Sequence, residues 1–280
     1  MQVGIIYLGD SYREEEMFAK TKSINTMRFL TENDIEGDNN LYDCAFFIRG
    51  KKIKDLEYTD IWKNFNDKGF NLITKPESFD IIVDAVKSSN IFGAYAPRTA
   101  SFGINTDVSV ILSSLKRDKF CAPIFIRSEI ESVAKYAGIN NCILNHFAAD
   151  GLENCLSHLR NHVKGYKYII LKEIIEIAEN DLGNKQEIRA VVFKDKILIF
   201  DGVILDKDFE DYLPTMKNAI NSFYAKGLDG VYFIDFAVKK TGGLFVVECK
   251  DISHGTIKNT EAFINAVADV NNKKHIFGNM

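Results

Sequence analysis

Several signatures that would announce a function are missing from these 280 residues. Neither GxGxxG nor GxxxxGK followed by serine or threonine occurs, which argues against a dinucleotide fingerprint and against a P-loop. Lysines and arginines form no dense run and the formal net charge is -4, so nucleic acid is not expected as a partner. The five cysteines, Cys44, Cys121, Cys142, Cys155 and Cys249, are odd in number and scattered, with no Cys-x-x-Cys pair. This argues against a disulfide framework and fits reduced thiols used as small core residues. No apolar stretch approaches the roughly 20 residues that span a bilayer, and the opening MQVGIIYLGD places no basic segment before its apolar run. No membrane partner is therefore expected, and the expected compartment is the cytoplasm. There is no internal repeat or low-complexity tract. A chain of this length has room for two domains and for a core that needs neither disulfide nor structural metal.

What is present is an alternation. Through residues 1–98 the pattern runs VGIIYLG, a helical stretch from Glu14 to Leu30, CAFFIRG, a helix around Ile61 and Trp62, FNLIT, and a helix from Glu77 to Lys87. This order predicts βαβ units and a parallel sheet. The loop TENDIEGDNN lacks the ligand spacing and closing glutamate of a calcium loop and reads as a solvated connection. NIFGAYAPRTASFG breaks the periodicity and reads as a linker, with a new unit from about Thr99. That unit holds a helix from Thr106 to Arg117, the strands APIFIRSE and NCILN, a helix from Gly151 to Lys164 and the long strand KYIILKEIIEIA. Two hairpins follow, QEIRAVVFKDKILIFDG and YFIDFAVKKTGGLFVVECKDIS, separated by a helix from Phe209 to Lys226.

The last hairpin carries one acid in the middle of each apolar strand. Asp235 lies six residues before Thr241 and Glu248 six after Gly242, so an even-length loop centred there sets them directly opposite. Opposed side chains sit about 4.5 to 5.5 Å apart, and like charges at that distance destabilise a sheet. Period-2 alternation puts Tyr232, Ile234, Phe236, Val238, Phe245, Val247 and Cys249 on one face. The other has Val231, Phe233, Ala237, Leu244 and Val246 around the acids, so neither face reads as solvent. A divalent cation between hard oxygens would offset the repulsion, and magnesium with nucleotide phosphates is a common use of such a pair. An exposed edge hairpin, or an odd-length loop that puts the acids out of register, is the alternative.

Other candidates stand beside this pair. Glu187 and Arg189 share one face of a strand whose other face is Ile188, Ala190 and Val192. An arginine so placed meets a carboxylate or phosphate, or else lies on the surface. The same two readings apply to Arg127, which ends an apolar strand, and to Lys135. Cys155, His158 and His162 sit at i, i+3 and i+7 but only flank the apolar stripe of their helix, a weak metal signal. His254 reads as a turn histidine.

Taken in order, PIFIRSE, YIILKEIIEI, QEIRAVVFKDKILIF and YFIDFAVKKTGGLFVVECKDIS resemble the successive strands of the ATP-grasp fold, in particular a bacterial and viral clade marked by two arginines and a lysine. LITKPESF and APRTASF resemble the pre-grasp domain that precedes it. The resemblance implies an α/β chain, α+β in its C-terminal part. A Rossmann-like pre-grasp domain would span 1–98 and a two-subdomain ATP-grasp domain 99–280, divided near residue 175. It implies ATP and magnesium as cofactors. Asp235 and Glu248 would be the metal ligands and Arg189 would meet the phosphates. Arg127 and Lys135 would face the phosphates or the acyl group from the first subdomain. Lys172, Glu173, Ile174 and Ile175 would form the hinge whose backbone pairs with adenine, with Leu171 nearby and Glu187 on the nucleotide side. The family carries an asparagine two residues after the glutamate, whereas this chain has Lys250. Lysine cannot ligate magnesium, so Lys250 would touch a phosphate, or Asp251 would turn inward as a ligand.

The implied activity is carboxylate-amine ligation through an acyl phosphate, on an amino acid, a peptide or a protein terminus. A magnesium-nucleotide sensor without turnover is the second reading, favoured by Lys250. A structural or interaction protein with no nucleotide site is the third.

Overall fold

The computed structural model describes residues 2–9, 14–22, 27–31, 34, 44–51, 53, 55–128, 142–201 and 209–272. The chain alternates first as anticipated. Strands β1 (Gln2–Tyr7), β2 (Phe29–Thr31), β3 (Cys44–Arg49) and β4 (Asn71–Leu72) form a parallel sheet in the order β2-β1-β3-β4. Both faces are covered, which is why β1 and β3 are apolar almost without interruption. Helices α1 (Glu14–Thr21) and α2 (Asp55–Asp67) connect these strands. The helix anticipated from Glu14 to Leu30 stops at Thr21. Its last apolar residues are strand instead, because Phe29 and Leu30 pair with Ile5 and Ile6 at the edge of β1.

The helix anticipated from Glu77 to Lys87 is two helices, α3 (Pro76–Val83) and α4 (Ala85–Phe92). Asp84 separates them with extended backbone, and its carboxylate accepts from the N–H groups of Val86 and Lys87, capping the second. The anticipated linker is ordered: it includes the end of α4 and a short 3-10 turn, and it enters β5 (Thr99–Gly103).

Strand β5 opens an antiparallel sheet with β6 (Ile124–Ser128), β7 (Ile143–Leu144) and β8 (Tyr168–Glu173), in the order β5-β8-β6-β7. Helices α5 (Val108–Arg117) and α6 (Ala149–His162) cover one face, where Ile124, Ile126, Ile169 and Leu171 join their core. Alternation sends Arg127, Ile170 and Lys172 to the opposite face.

The third sheet is also antiparallel: β9 (Glu187–Phe193), β10 (Lys196–Asp201), β11 (Val231–Val238) and β12 (Leu244–Asp251), in the order β10-β9-β11-β12. One face packs Val192, Tyr232, Ile234 and Phe236 against α7 (Phe209–Tyr224) and residues of α3 and α4. The other joins Val191, Val231 and Phe233 to Ile5 and Phe47 of the parallel sheet and to α8 (Thr260–Asn272), a helix the sequence reading did not anticipate. Among the described residues no helix is long and apolar enough to cross a membrane.

The acidic hairpin turns differently from the expectation. Its loop is odd, residues 239–243, closed by the Lys239 N–H on the Gly243 carbonyl, with Gly242 and Gly243 at φ of 89° and 80°. Val238, Ala237 and Phe236 pair with Leu244, Phe245 and Val246, a register that alone would set Asp235 opposite Val247. A bulge absorbs Val247, and Asp235 faces Glu248 after all. The bulge also corrects the two faces: Leu244 and Val246 join Phe236 and Val238 in the core beneath α7, while Phe245 lies across from Ala237.

Candidate functional site

A row of charge crosses the third sheet. Asp201 on β10 pairs in register with Arg189 on β9, Arg189 with Asp235 on β11, and Asp235 with Glu248 on β12. Because register partners share a face, all four side chains leave the sheet on the same side. Arg189 grips Asp235 as a fork, Nε to Oδ1 at 2.6 Å and Nη2 to Oδ2 at 2.8 Å. Its guanidinium carbon lies 5.0 Å from the Phe233 ring centroid, stacked over the residue two before Asp235. Lys250 donates to Asp235 Oδ2 at 3.2 Å and also ion-pairs with Glu248 Oε1. Asp201 is buried, and its carboxylate accepts from the backbone N–H groups of Lys258 and Asn259 at 3.0 Å.

The second sheet supplies two more cations. Lys172 reaches from β8 to β12 and donates to the carbonyl of Val247, the bulged residue that has no cross-strand register partner. Arg127, half-buried two strands from β5, is drawn toward Glu248 electrostatically. Arg189 and Lys250 thus engage Asp235 from the third sheet, while Arg127 and Lys172 bring positive charge toward Glu248 from the second.

Burial and charge oppose each other here. Burial, helped by Arg127 and Lys250 and opposed by Glu248, pushes the Lys172 ammonium down to about 8. Burial lowers Arg127, and Glu248 opposes that. Burial alone would raise Asp235, but the Arg189 fork and Lys250 outweigh it and hold the carboxyl below its usual range. The repulsion between the opposed acids is therefore met by protein cations.

Asp251 is removed from the cluster. It pairs with Tyr232, one residue out of phase with Lys250, and so leaves the opposite face. Its carboxylate accepts from the Ser253 N–H at 2.7 Å, capping the 3-10 turn Ile252–His254, and burial raises it to about 6. Leu171 lies in the core under α5 and α6. Glu173 holds the Cys121 and Arg98 N–H groups with its carboxylate and gives its own N–H to the Arg98 carbonyl. Ile174 donates to the Pro123 carbonyl, and Ile175 follows, half-buried. Glu187 is exposed at the start of β9, opposite Ala237. Lys135, most of the 31–40 loop and the His254 side chain lie outside the described residues. Cys155 packs inside α6 against the Ile143 carbonyl, and His162 bonds the His158 carbonyl at 2.9 Å. Among the described residues no three histidine, cysteine or acidic side chains gather as a metal cage. Asp235 and Glu248 nevertheless fit one magnesium, which commonly takes one or two carboxylates and completes its shell with water and phosphate.

Sequence reasoning missed the support beneath this site. Arg49, fully buried at the end of β3, pairs with Glu15 at 2.6 Å and donates to the carbonyls of Ile252 and Gly255. Tyr7 adds a hydrogen bond to Glu15 at 3.1 Å. Gly255 in turn abuts Phe233: a Cβ there would fall 2.1 Å from Phe233 Cε2. Arg49, Gly255, Phe233 and Arg189 form one continuous stack from the parallel sheet to Asp235. The available signal was CAFFIRG, an arginine ending an apolar strand just as Arg127 ends APIFIR.

No protein-family model matches the chain, and no curated protein matches it in sequence. Solved structures do match in shape. The crystal structure of the D-cycloserine synthetase DcsG superposes with a TM-score of 0.62 at 12% identity, covering 96% of this chain and 99% of that one. A RimK domain ATP-grasp protein from Sphaerobacter thermophilus gives 0.58 at 12% identity over 95% and 98%. The VanG D-Ala:D-Ser ligase from Enterococcus faecalis gives 0.57 at 12% identity over 96% and 99%. The fold of this chain is the ATP-grasp fold.

Proposed function

We propose, with the ATP-grasp fold as the premise, that this protein is an ATP-dependent carboxylate-amine ligase working through an acyl phosphate. The observation that carries the reading is the engagement of Asp235 by Arg189 and Lys250, with Arg127 and Lys172 bringing positive charge toward Glu248 from the second sheet. Cations placed before the reaction are what phosphoryl transfer asks of a protein, since charge spreads over the transferring oxygens and little covalent chemistry is required. Arg189 and Lys250 would hold phosphate oxygens from the third sheet, and Arg127 and Lys172 from the second. When bound at Asp235 and Glu248, magnesium supplies further charge neutralisation at the phosphates. A substrate carboxylate oxygen would bond to the terminal phosphorus as the bond to ADP breaks. An amine nitrogen would then attack the acyl carbon, expelling phosphate and losing its proton.

Among the described residues the N–H groups of Glu173 and Ile174 are already engaged by the Arg98 and Pro123 carbonyls, so the hinge N–H offered to the purine edge would be that of Ile175. We place the pre-grasp unit at 1–98 and the grasp domain at 99–280, with the carboxylate substrate an amino acid, a peptide or a protein terminus and the location cytoplasmic. The D-Ala:D-Ser ligase among the similar structures favours an amino acid. The test is release of ADP and phosphate from magnesium-ATP that depends on added amino acid or peptide mixtures. A second reading, a nucleotide-binding module without turnover, is favoured by Lys250, which occupies both acids. Nucleotide binding that stays silent with every mixture would establish that reading instead.

A further inference from the structure

Lys250 is the residue on which the cation demand of this site turns. Its ammonium bridges two carboxylates on neighbouring strands, donating to Asp235 Oδ2 at 3.2 Å and pairing with Glu248 Oε1. A positive charge between two opposed acids is the place a divalent ion would take. Both Asp235 oxygens already accept from Arg189, so the lone pairs left to a metal lie mainly on Glu248. Among the described residues no third acid, histidine or cysteine completes a cage, and Asp251 caps a turn on the other face. These donors suffice for one divalent ion shared with phosphate only where Lys250 gives way to it, and not for two.

Lys250 is also free to act toward a ligand. Its side chain is 39% exposed and that of Glu248 is 41%, whereas Asp235 beneath them is 18% exposed. An ammonium has three donors. Two meet the acids and the third remains for an anion above them. Lys172, bonded to the Val247 carbonyl, and Arg127 add charge of the same sign from the second sheet.

We infer that Lys250 is a built-in replacement for one metal ion: a tethered ammonium that bridges Asp235 and Glu248 and holds the nucleotide polyphosphate, so that ATP binds with little need of magnesium. This deepens the proposed function and rests on that reading. The side chain is fixed by the strand two residues after Glu248, which puts its charge on the acid face at every encounter, at no cost in ion concentration.

The experiment is calorimetric titration of the full chain with ATP, once in EDTA and once with excess magnesium, for the wild type, Lys250→Asn and Lys250→Arg. The wild type is expected to bind with dissociation constants within about threefold of each other in the two buffers. Lys250→Asn is expected to lose at least about tenfold in EDTA and to recover most of it with magnesium, because the amide restores a metal ligand and removes the cation. Lys250→Arg, which keeps the charge, is expected to stay within a few-fold of the wild type in EDTA; this controls for general damage to the hairpin. A wild type that loses about thirtyfold or more in EDTA, with Lys250→Asn showing the same ratio, overturns the inference and leaves the nucleotide reading standing. No ATP binding by the wild type in either buffer overturns both.

Discussion

Lys172 is the side chain whose charge the fold disturbs most usefully. It is half-buried between two sheets, bonded to the Val247 carbonyl, and burial lowers its ammonium to about 8 against an ordinary 10.5. The unfolded chain then holds more protons than the folded one between those values, so stability rises with pH across roughly 8 to 10.5. Urea unfolding of the wild type is expected to show that rise, and Lys172→Met to flatten it. In the same variant ATP affinity is expected to fall about tenfold at neutral pH, or about 1.4 kcal/mol. An unchanged affinity would remove Lys172 from the phosphate site. Asp251 gives the opposite slope. Burial raises its carboxyl from 3.8 to about 6, so the stability it contributes is complete below 3.8 and is lost as pH climbs through 6. Asp251→Asn keeps an acceptor for the Ser253 N–H and removes the buried charge. It is expected to be more stable than the wild type at pH 7 and equal to it near pH 4, measured by thermal unfolding in both buffers.

At the scale of elements, the acidic hairpin shows what alternation can and cannot reveal. Counting from Thr241 and Gly242 gave the right partners, Asp235 and Glu248, through a turn that does not exist: the loop is odd, and the Val247 bulge restores the register. A bulge leaves no trace in a run such as LFVVECKD, because valine fits either a paired or an unpaired strand position. Strand β8 was legible as part of a long apolar run, yet the reach of Lys172 to the third sheet was not, since nothing local says that its side chain crosses to another sheet. The 3-10 turn after β12 makes a sharper prediction. Gly255→Ala would drive a methyl group into the Phe233 ring, on which the Arg189 guanidinium rests. Overpacking of this kind costs about 1 to 3 kcal/mol, and displacement of Phe233 moves Arg189 away from Asp235. Both a lowered midpoint in urea and weaker ATP binding are expected. Loss of stability with intact binding would show that Phe233 does not position Arg189.

Over the whole molecule, the parallel sheet reaches the charged row through one buried ion pair. Arg49 and Glu15 are 0% and 1% exposed, and Arg49 also carries the carbonyls of Ile252 and Gly255. Removing one partner of a buried pair costs about 3 to 5 kcal/mol. Glu15→Gln is expected to lower unfolding stability on that scale, and by an amount that does not change between low and high salt, because buried charges are poorly screened. A salt-sensitive loss would place the pair at the surface. Much of the architecture was legible: the alternation gave the parallel sheet, and the spacing of the two acids gave the pair of Asp235 and Glu248, though not its alignment with Arg189 and Asp201. The long-range ties, Arg49 to Gly255 and Lys172 to Val247, join residues far apart in sequence, and periodicity reports only on neighbours.

The charge row has a kinetic consequence. Over the whole chain acids outnumber bases, with a formal charge of -4, yet where the two sheets meet, four cations outnumber the acids beside them. On the proposed function, a phosphorylated ligand would be weakly repelled by the net charge of the chain and attracted at this one place. Its association rate constant should therefore fall steeply as ionic strength rises, while its dissociation rate constant, set by short-range contacts with the row, stays nearly level.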